Sequence, residues 1–305
     1  MYRKVLNTFE ISMPEILVII ITYNAEQLLD QCLSSVPSIE GPIKGLVIDN
    51  GSTDNTVKII TEKYPHIEII ENKKNLGFGE ANNIGFRKAI KENYDYVYLL
   101  NQDAWIAPDD ILRLAKLAEK NPEFGIISPL QVYRDENKID ESFYKNLPQS
   151  LKDALKSDVS LHNLYKVNEE KLIPAAHWLI NTGIIKQIGG FSPSFFYRGE
   201  DNNYSHRLNY FRYKVGVAPA LKGIHDREER YNDKGIKTPI KIKWIWTLSN
   251  PNWSFKESGY RIYHSMKKEL LRKGVGILPA ILSFLIKYPL FLLRKYQSKK
   301  KGCFL

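Results

Sequence analysis

Four apolar, β-branched runs alternate with segments of helical period, and this alternation limits the fold more than any other feature. The runs are Glu15–Tyr23, Lys44–Asp49, Ile67–Glu71 and Tyr94–Leu100. After the first, Leu28, Leu29, Cys32, Leu33 and Val36 recur at helical spacing until Pro37 stops the helix. After the second, Thr53 or Asp54 caps a helix that runs to about Tyr64. Further helices are expected over Glu80–Glu92 and from Pro108 to Asn121. Strands alternating with helices predict a mostly parallel sheet covered on both faces. In such sheets ligands bind at the carboxyl ends of the strands. Three polar clusters fall there: Thr22-Tyr23-Asn24, Asp49-Asn50-Gly51-Ser52 and Asn101-Gln102-Asp103.

With 305 residues the chain has room for one large α/β domain and a smaller appendage. The expected division is a catalytic domain over 1–230 and a helical extension over 231–305. The first holds a nucleotide half, about 14–103, and an acceptor half, about 104–230. Gln131–Glu170 is polar and aperiodic and reads as an insertion or a lid. Order returns at Pro174–Ile188, followed by Gly189-Gly190-Phe191, a helix from about Asp201 to Tyr213 and a strand over Val215–Ala218. Cys32 and Cys303 show no metal-ligand spacing and imply no disulfide framework. Ile16–Ile21 is too short for the apolar core of a secretory leader, so the catalytic part is expected in the cytoplasm.

Five clusters in order carry a family signature. They are Val47-Ile48-Asp49-Asn50-Gly51-Ser52-Thr53-Asp54; Asn75-Leu76-Gly77-Phe78-Gly79-Glu80-Ala81-Asn82-Asn83; and Leu99-Leu100-Asn101-Gln102-Asp103. Gly189-Gly190-Phe191 then leads into Phe195-Phe196-Tyr197-Arg198-Gly199-Glu200-Asp201, and Pro219 precedes His225. Over roughly Pro14 to His225 the chain resembles glycosyltransferase family 2, of the Rossmann-like GT-A fold, and within it the rhamnosyltransferase-like members.

The resemblance assigns roles. Asp49, Asn50 and Gly51 fall at the nucleoside-binding loop, where a carboxylate accepts from a pyrimidine N–H or a ribose hydroxyl; Asp49 and Asp54 also suit a plain turn and cap. Thr22, Tyr23 and Asn24 line the same pocket, and Asn75, Gly77 and Asn82 lie near the donor. Asn101, Gln102 and Asp103 occupy the D-x-D position, with Asn in place of the first Asp. Asp103, completed by His225, would hold Mn²⁺ or Mg²⁺ on the diphosphate leaving group. Inverting transfer needs one carboxylate to take the acceptor's proton. That role falls to Asp201, with Glu200 positioning the acceptor or the loop; Asp201 also suits a helix cap. Asn203 stands where relatives often carry another acid. Trp178, Thr182 and Gly183 would border the acceptor, Trp178 serving equally well as core.

The charge is concentrated at one end. Of 44 basic and 34 acidic residues, eleven basic and one acidic (Glu269) lie between Arg261 and Leu305, which accounts for the whole net charge of +10. Val275–Leu293 is apolar, interrupted by Lys287, Pro279 and Pro289, and Arg294, Lys295 and Lys299–Lys301 follow. An apolar segment flanked by cations predicts attachment to an anionic membrane surface. Spanning is the minor reading, and a helix packed on the body is the alternative. Nucleic acid is not an expected partner, since it needs no long apolar run. The combined expectation is an inverting transferase that moves rhamnose or another hexose from a UDP- or dTDP-sugar. Its acceptor would be a glycan or lipid-linked saccharide in bacterial surface polysaccharide synthesis, at the inner face of the membrane. A non-catalytic nucleotide- or glycan-binding homologue is the alternative.

Overall fold

The computed structural model describes residues 13–37, 40–156, 166–227 and 238–305. Strands β1 (Ile16–Thr22), β2 (Ile43–Asp49), β3 (Glu68–Glu71) and β4 (Tyr96–Asn101) lie in the order β3-β2-β1-β4, all parallel. β1, β2 and β4 are buried along almost their whole length, which is why they read as continuous apolar runs with no alternation. One face carries α1 (Leu29–Leu33) and α2 (Thr56–Lys63), which seat Leu29, Leu33 and Ile60 against Val18, Ile20 and Val47. The other carries α3 (Phe78–Lys91), with Ala81 and Phe86 against Ile19, Leu46 and Leu99. α4 (Pro108–Lys120) returns to the first face through Ile111 and Leu114. Of the helix expected before Pro37, the five residues of α1 are regular and turns flank them.

The second half of the sheet is mixed. Its strands are β5 (Ala104–Trp105), β6 (Phe124–Val132), β7 (Asn168–Glu170), β8 (His177–Asn181) and β9 (Lys214–His225). β8 is antiparallel to β4 and to β6, β6 is parallel to β9, and β5 and β7 lie antiparallel to β9. The mostly parallel α/β sheet expected from the sequence is therefore present. β9 is longer than the four residues expected: it continues past Pro219, absorbed by a register shift opposite Pro129 and Leu130, and delivers His225 to the sheet's polar end.

The described part of 131–170, expected as an insertion or a lid, carries regular elements. Gln131 and Val132 close a nine-residue buried strand. α5 (Glu141–Asn146) and α6 (Gln149–Lys156) follow, and Phe143, Leu147 and Leu151 enter the main core. Asp140 caps α5 by accepting from the Phe143 N–H at 2.9 Å. Among the segment's described residues, the polar side chains of these two short helices take outward positions. Residues 157–165 lie outside the described residues.

Two helices then set up the site: α7 (Thr182–Ile188) and α8 (Glu200–Tyr210). The extension adds α9 (Ile240–Ser249), α10 (Phe255–Lys273), a 3₁₀ turn at Gly274–Ile277 and α11 (Leu278–Gln297). A Ser254-x-x-Glu257 capping box starts α10, the Ser254 hydroxyl accepting from the Glu257 N–H. Trp244, Leu248, Ile262, Phe284 and Phe291 form a separate small core, which Phe195 of the body joins. The extension is fastened to α8 and α7: Asn252 donates to the His206 carbonyl (2.8 Å), and Gly190 N–H donates to the Cys303 carbonyl (2.8 Å).

Candidate active site

Strand register brings the polar clusters together. Thr22 pairs with Asp49 across β1 and β2, and Ile21 with Asn101 across β1 and β4. The three loops leave one edge and are stitched to one another. Asp49 accepts from Thr22 Oγ1 (2.9 Å), Gly51 N–H (3.0 Å), Ser52 N–H (2.8 Å) and the Ser52 hydroxyl. Asn24, in the left-handed region at φ 49°, accepts from Thr53 N–H at 2.8 Å. Gln102 accepts from Tyr23 N–H (2.8 Å) and donates back to its carbonyl. A carboxylate offers about four acceptor sites, and the loop uses all four of Asp49's. Asp49 and Thr22 are buried and hold the loop together, whereas Tyr23 beside them is exposed.

The next loop is tied to the same edge. Asn50 Oδ1 accepts from Asn72 Nδ2 (3.1 Å) and Leu76 N–H (3.3 Å), and Asn75 Oδ1 from Gly77 N–H (2.8 Å). Gly77 sits at φ 81°, and a Cβ there would collide with the Phe196 carbonyl. Only glycine admits both the dihedral and the contact. Thus the Asn75–Gly77 turn abuts the segment that leads to Glu200. Asn82 donates to the Phe78 carbonyl inside α3, so its amide organises the helix start. Its neighbour Asn83 clamps the Gly-Gly-Phe turn through both its groups, accepting from Phe191 N–H (2.6 Å) and donating to the Phe191 carbonyl (3.0 Å).

Asp103 and His225 meet because β5 pairs with β9, with Ala104 opposite His225. His225 Nε2 lies 3.5 Å from Asp103 Oδ1, and its Nδ1 lies 3.5 Å from Asp140 Oδ2. Asp140 is fully buried and paired with Arg227 at 2.6 Å, which holds its carboxyl below the usual range against the pull of burial. Among the described residues no three His, Cys, Asp or Glu side chains form a metal-holding group. One carboxylate and one imidazole nevertheless suit a Mg²⁺- or Mn²⁺-type site, which takes much of its coordination from substrate phosphates and water. Asp140 and Arg227 escaped the sequence reading; 87 residues separate them, and no local pattern marks the pair.

Glu200 and Asp201 open α8 after Arg198 and Gly199, both at positive φ (68° and 104°). Burial, then the adjacent Asp201, pushes the Glu200 carboxyl up to about 7, and its Oε2 has no hydrogen-bond partner among the described residues. Burial also raises Asp201, whose Oδ1 accepts from Asn202 N–H at 2.7 Å. The helix N-terminus favours their ionised forms and limits the rise. The packing that imposes the burial comes partly from the extension: a Cβ at Gly199 would strike Trp246 of α9.

The three residues expected at the acceptor are elsewhere. Trp178 is wholly buried, stacked near Phe191 and tilted against Tyr204 in the main core. Thr182 and Gly183 follow Asn181, which pairs with Tyr96 at the amino end of β4, and Thr182 N–H donates to the Asp95 carbonyl. β8 runs antiparallel to β4, so its beginning, at His177 opposite Leu100, faces the site and its end faces away. That reversal moves Thr182 and Gly183 to the far edge of the sheet.

The Rossmann-like sheet, with polar loops stitched together at its strand ends, has the GT-A fold. The Glycosyl transferase family 2 model matches residues 17–174, just over half of the chain, and the chain belongs to that family. It is 25% identical over 236 residues to an N-acetylglucosaminyl-diphospho-decaprenol L-rhamnosyltransferase of Mycobacterium tuberculosis, covering 69% of this chain and 75% of that protein. It is 27% identical over 235 residues to a poly-beta-1,6-N-acetyl-D-glucosamine synthase of Staphylococcus epidermidis, covering 73% of this chain and 55% of the other. The crystal structure of S. aureus TarS 1-349 in complex with UDP-GlcNAc superposes with a TM-score of 0.54 at 14% identity, covering 91% of this chain and 81% of that one. That likeness bears on the fold.

Proposed function

We propose that the chain is an inverting, membrane-surface glycosyltransferase that moves a hexose, rhamnose first, from a UDP- or dTDP-sugar to a lipid-linked saccharide in bacterial surface polysaccharide synthesis. The observation that carries the reading is the contact of Gly77 with the Phe196 carbonyl, which sets the segment bearing Glu200 and Asp201 against the donor loop. The donor would lie over the loops after β1, β2 and β4, met by Tyr23, Asn24, Asn50, Gly51, Asn75, Asn101 and Gln102 at their rims. Asp201 takes the proton from the attacking hydroxyl, its carboxyl raised by burial, and Glu200 beside it positions the acceptor or the loop. Asp103 and His225 would hold a divalent cation, which when bound neutralises charge on the departing diphosphate. The names of the mycobacterial and staphylococcal relatives and the UDP-GlcNAc bound to TarS support the donor and acceptor classes.

The membrane part of the reading rests on α10–α11. The stretch Phe255–Gln297 is long and apolar enough to cross a membrane, and 17% of its most apolar window is buried. Lys287 and Pro289 within α11 and the packing of Phe284 and Phe291 onto α9 favour a helix lying at the surface. Calorimetric titration with uridine and thymidine diphosphates, with Mn²⁺ and then with chelator, tests the donor site. Cation-dependent binding of one of them is expected, and a folded protein that binds neither overturns the reading.

A further inference from the structure

His225 lies between two carboxylates that reach it from opposite edges of the ring. Asp103 Oδ1 stands 3.5 Å from Nε2, and Asp140 Oδ2 stands 3.5 Å from Nδ1. The residue is 2% exposed, and Nδ1 makes no hydrogen bond among the described residues. Chain geometry brings Asp140 there. Val132, the last residue of β6, is level with Ile224, next to His225. The chain then turns back, with Ile139 bridged to Val132 and the Asp140 N–H donating to the Gln131 carbonyl at 3.0 Å. The carboxyl itself is held from two further directions. Oδ1 accepts from the Phe143 N–H at 2.9 Å, and Arg227 forks onto both oxygens, Nε to Oδ2 at 2.6 Å and Nη2 to Oδ1 at 2.7 Å.

Asp140 is therefore placed to orient the imidazole and not to ligate a cation itself. It is fully buried, both of its oxygens carry an Arg227 donor, and it faces the ring nitrogen that points away from Asp103. The guanidinium offsets its charge, so what it offers the imidazole is direction. A histidine that ligates a metal through one nitrogen commonly donates its other N–H to a partner of this kind. We infer that Asp140 is a positioning residue: it accepts the Nδ1–H of His225 and so turns the Nε2 lone pair to the cation position beside Asp103. The inference rests on the reading that Asp103 and His225 hold a divalent cation, and it adds the group that selects the tautomer. Asparagine separates this role from that of a plain cap. In Asp140→Asn the amide oxygen can keep Phe143 and Arg227 Nη2, while the amide nitrogen replaces Oδ2 and offers Nδ1 a donor. The ring then carries its proton on Nε2, facing Asp103, where a lone pair is needed.

The test is calorimetric titration of the full chain with uridine or thymidine diphosphate, whichever binds, at rising Mn²⁺. Asp140→Asn should raise the Mn²⁺ concentration that half-saturates the gain in affinity by about tenfold or more, and leave the affinity measured with chelator unchanged. In a His225→Gln background the same substitution should add nothing, because its effect passes through the ring. Histidine nitrogen NMR, with Mg²⁺ in place of Mn²⁺, should put the His225 proton on Nδ1 in the parent and on Nε2 in Asp140→Asn. A folded Asp140→Asn protein with the parent's Mn²⁺ requirement overturns the inference, as does an equal loss in the His225→Gln background. A proton on Nε2 in the parent overturns it even where the variant does not fold. Nucleoside diphosphate binding that is indifferent to Mn²⁺, or to Asp103→Asn, removes the cation site beneath it, so the two failures are distinguishable.

Discussion

The strand ends and the C-terminal hairpin of α10 and α11 treat water in opposite ways. At the strand ends, polar groups are withdrawn from solvent and committed to one another: Asp49 to four donors, Asn83 to Phe191, and Glu200 to a site where one oxygen has no partner among the described residues. Along the hairpin, Leu271, Val275 and Ile286 are left 78–80% exposed. Buried polar groups preorganised around a cleft lower the cost of stabilising a charged transition state. Exposed apolar surface of this extent marks an interaction face. On the proposed reading each arrangement has its counterpart, a nucleotide-sugar in one case and a lipid surface in the other. The contrast can be broken separately at each end.

The largest effect is expected at Asp201. Asp201→Asn removes the proton acceptor without altering volume, and transfer should fall by about 10²–10⁴-fold, with nucleoside diphosphate affinity within a factor of about two. The same pair gives a pH signature. Burial raises Asp201, so kcat/KM should fall at acid pH as that carboxylate takes up a proton, since the base acts in its ionised form, while Glu200 is raised to about 7. Stability runs the other way. A carboxyl whose folded pKa lies above its unfolded value favours the folded state below the unfolded pKa, and that contribution is lost as pH rises through about 7. Glu200→Gln should flatten the stability change and move the activity limb to lower pH. A profile identical to the parent's in both respects would separate the pair from the chemistry.

At the hairpin, the triple variant Leu282→Gln/Ile286→Gln/Leu293→Gln should reduce flotation with anionic vesicles at least tenfold. Three apolar side chains entering lipid contribute about 1.5–3 kcal/mol each at full burial, and about 1.4 kcal/mol is tenfold in affinity. Thermal stability should change little, because exposed positions away from special contacts alter it by about 0.5 kcal/mol or less. A large loss of stability with flotation intact would mean that the stripe packs on protein and not on lipid.

What the sequence discloses follows from chain distance. β1, β2 and β4, their burial on both faces and the polar clusters at their ends are local patterns, so they are legible. The pairing of Asp103 with His225 enters through family resemblance, and β5 against β9 gives it a geometric reason. Gly77 against Phe196, Asp140 with Arg227, and Trp246 over Gly199 join residues far apart in the chain, and nothing in a local window signals them. The polar look of 131–170 hides Phe143, Leu147 and Leu151, because a short helix turns only its few apolar residues inward and its polar ones outward. Thr182 and Gly183 lie at the far edge because proximity in sequence to the Gly-Gly-Phe turn says nothing of strand direction, and Trp178 takes the core place that its apolar ring also suits.

A smaller effect than the hairpin's is expected where the two ends meet. Asn83→Ala leaves the Phe191 N–H and carbonyl unpaired in a buried site, a loss of about 1–3 kcal/mol that denaturant unfolding would register. Nucleotide affinity should follow only as far as the Gly-Gly-Phe turn moves α8. Full stability in this variant would show that the turn is held by Arg207 and the Cys303 carbonyl instead.

The smallest effect distinguishes core from site at Trp178. Its indole is fully buried and its Nε1 has no acceptor among the described residues, so Trp178→Phe does two opposing things. It opens a void, costing about 1–3 kcal/mol, and it removes an unsatisfied donor whose burial costs a similar amount. The net loss of stability should be about 1 kcal/mol or less, with the acceptor KM unchanged. A raised acceptor KM at unchanged stability would contradict the burial of Trp178 and return it to the cleft. An unchanged KM with a measurable loss of stability would confine its role to the packing beneath α8, where Phe191 and Tyr204 also lie.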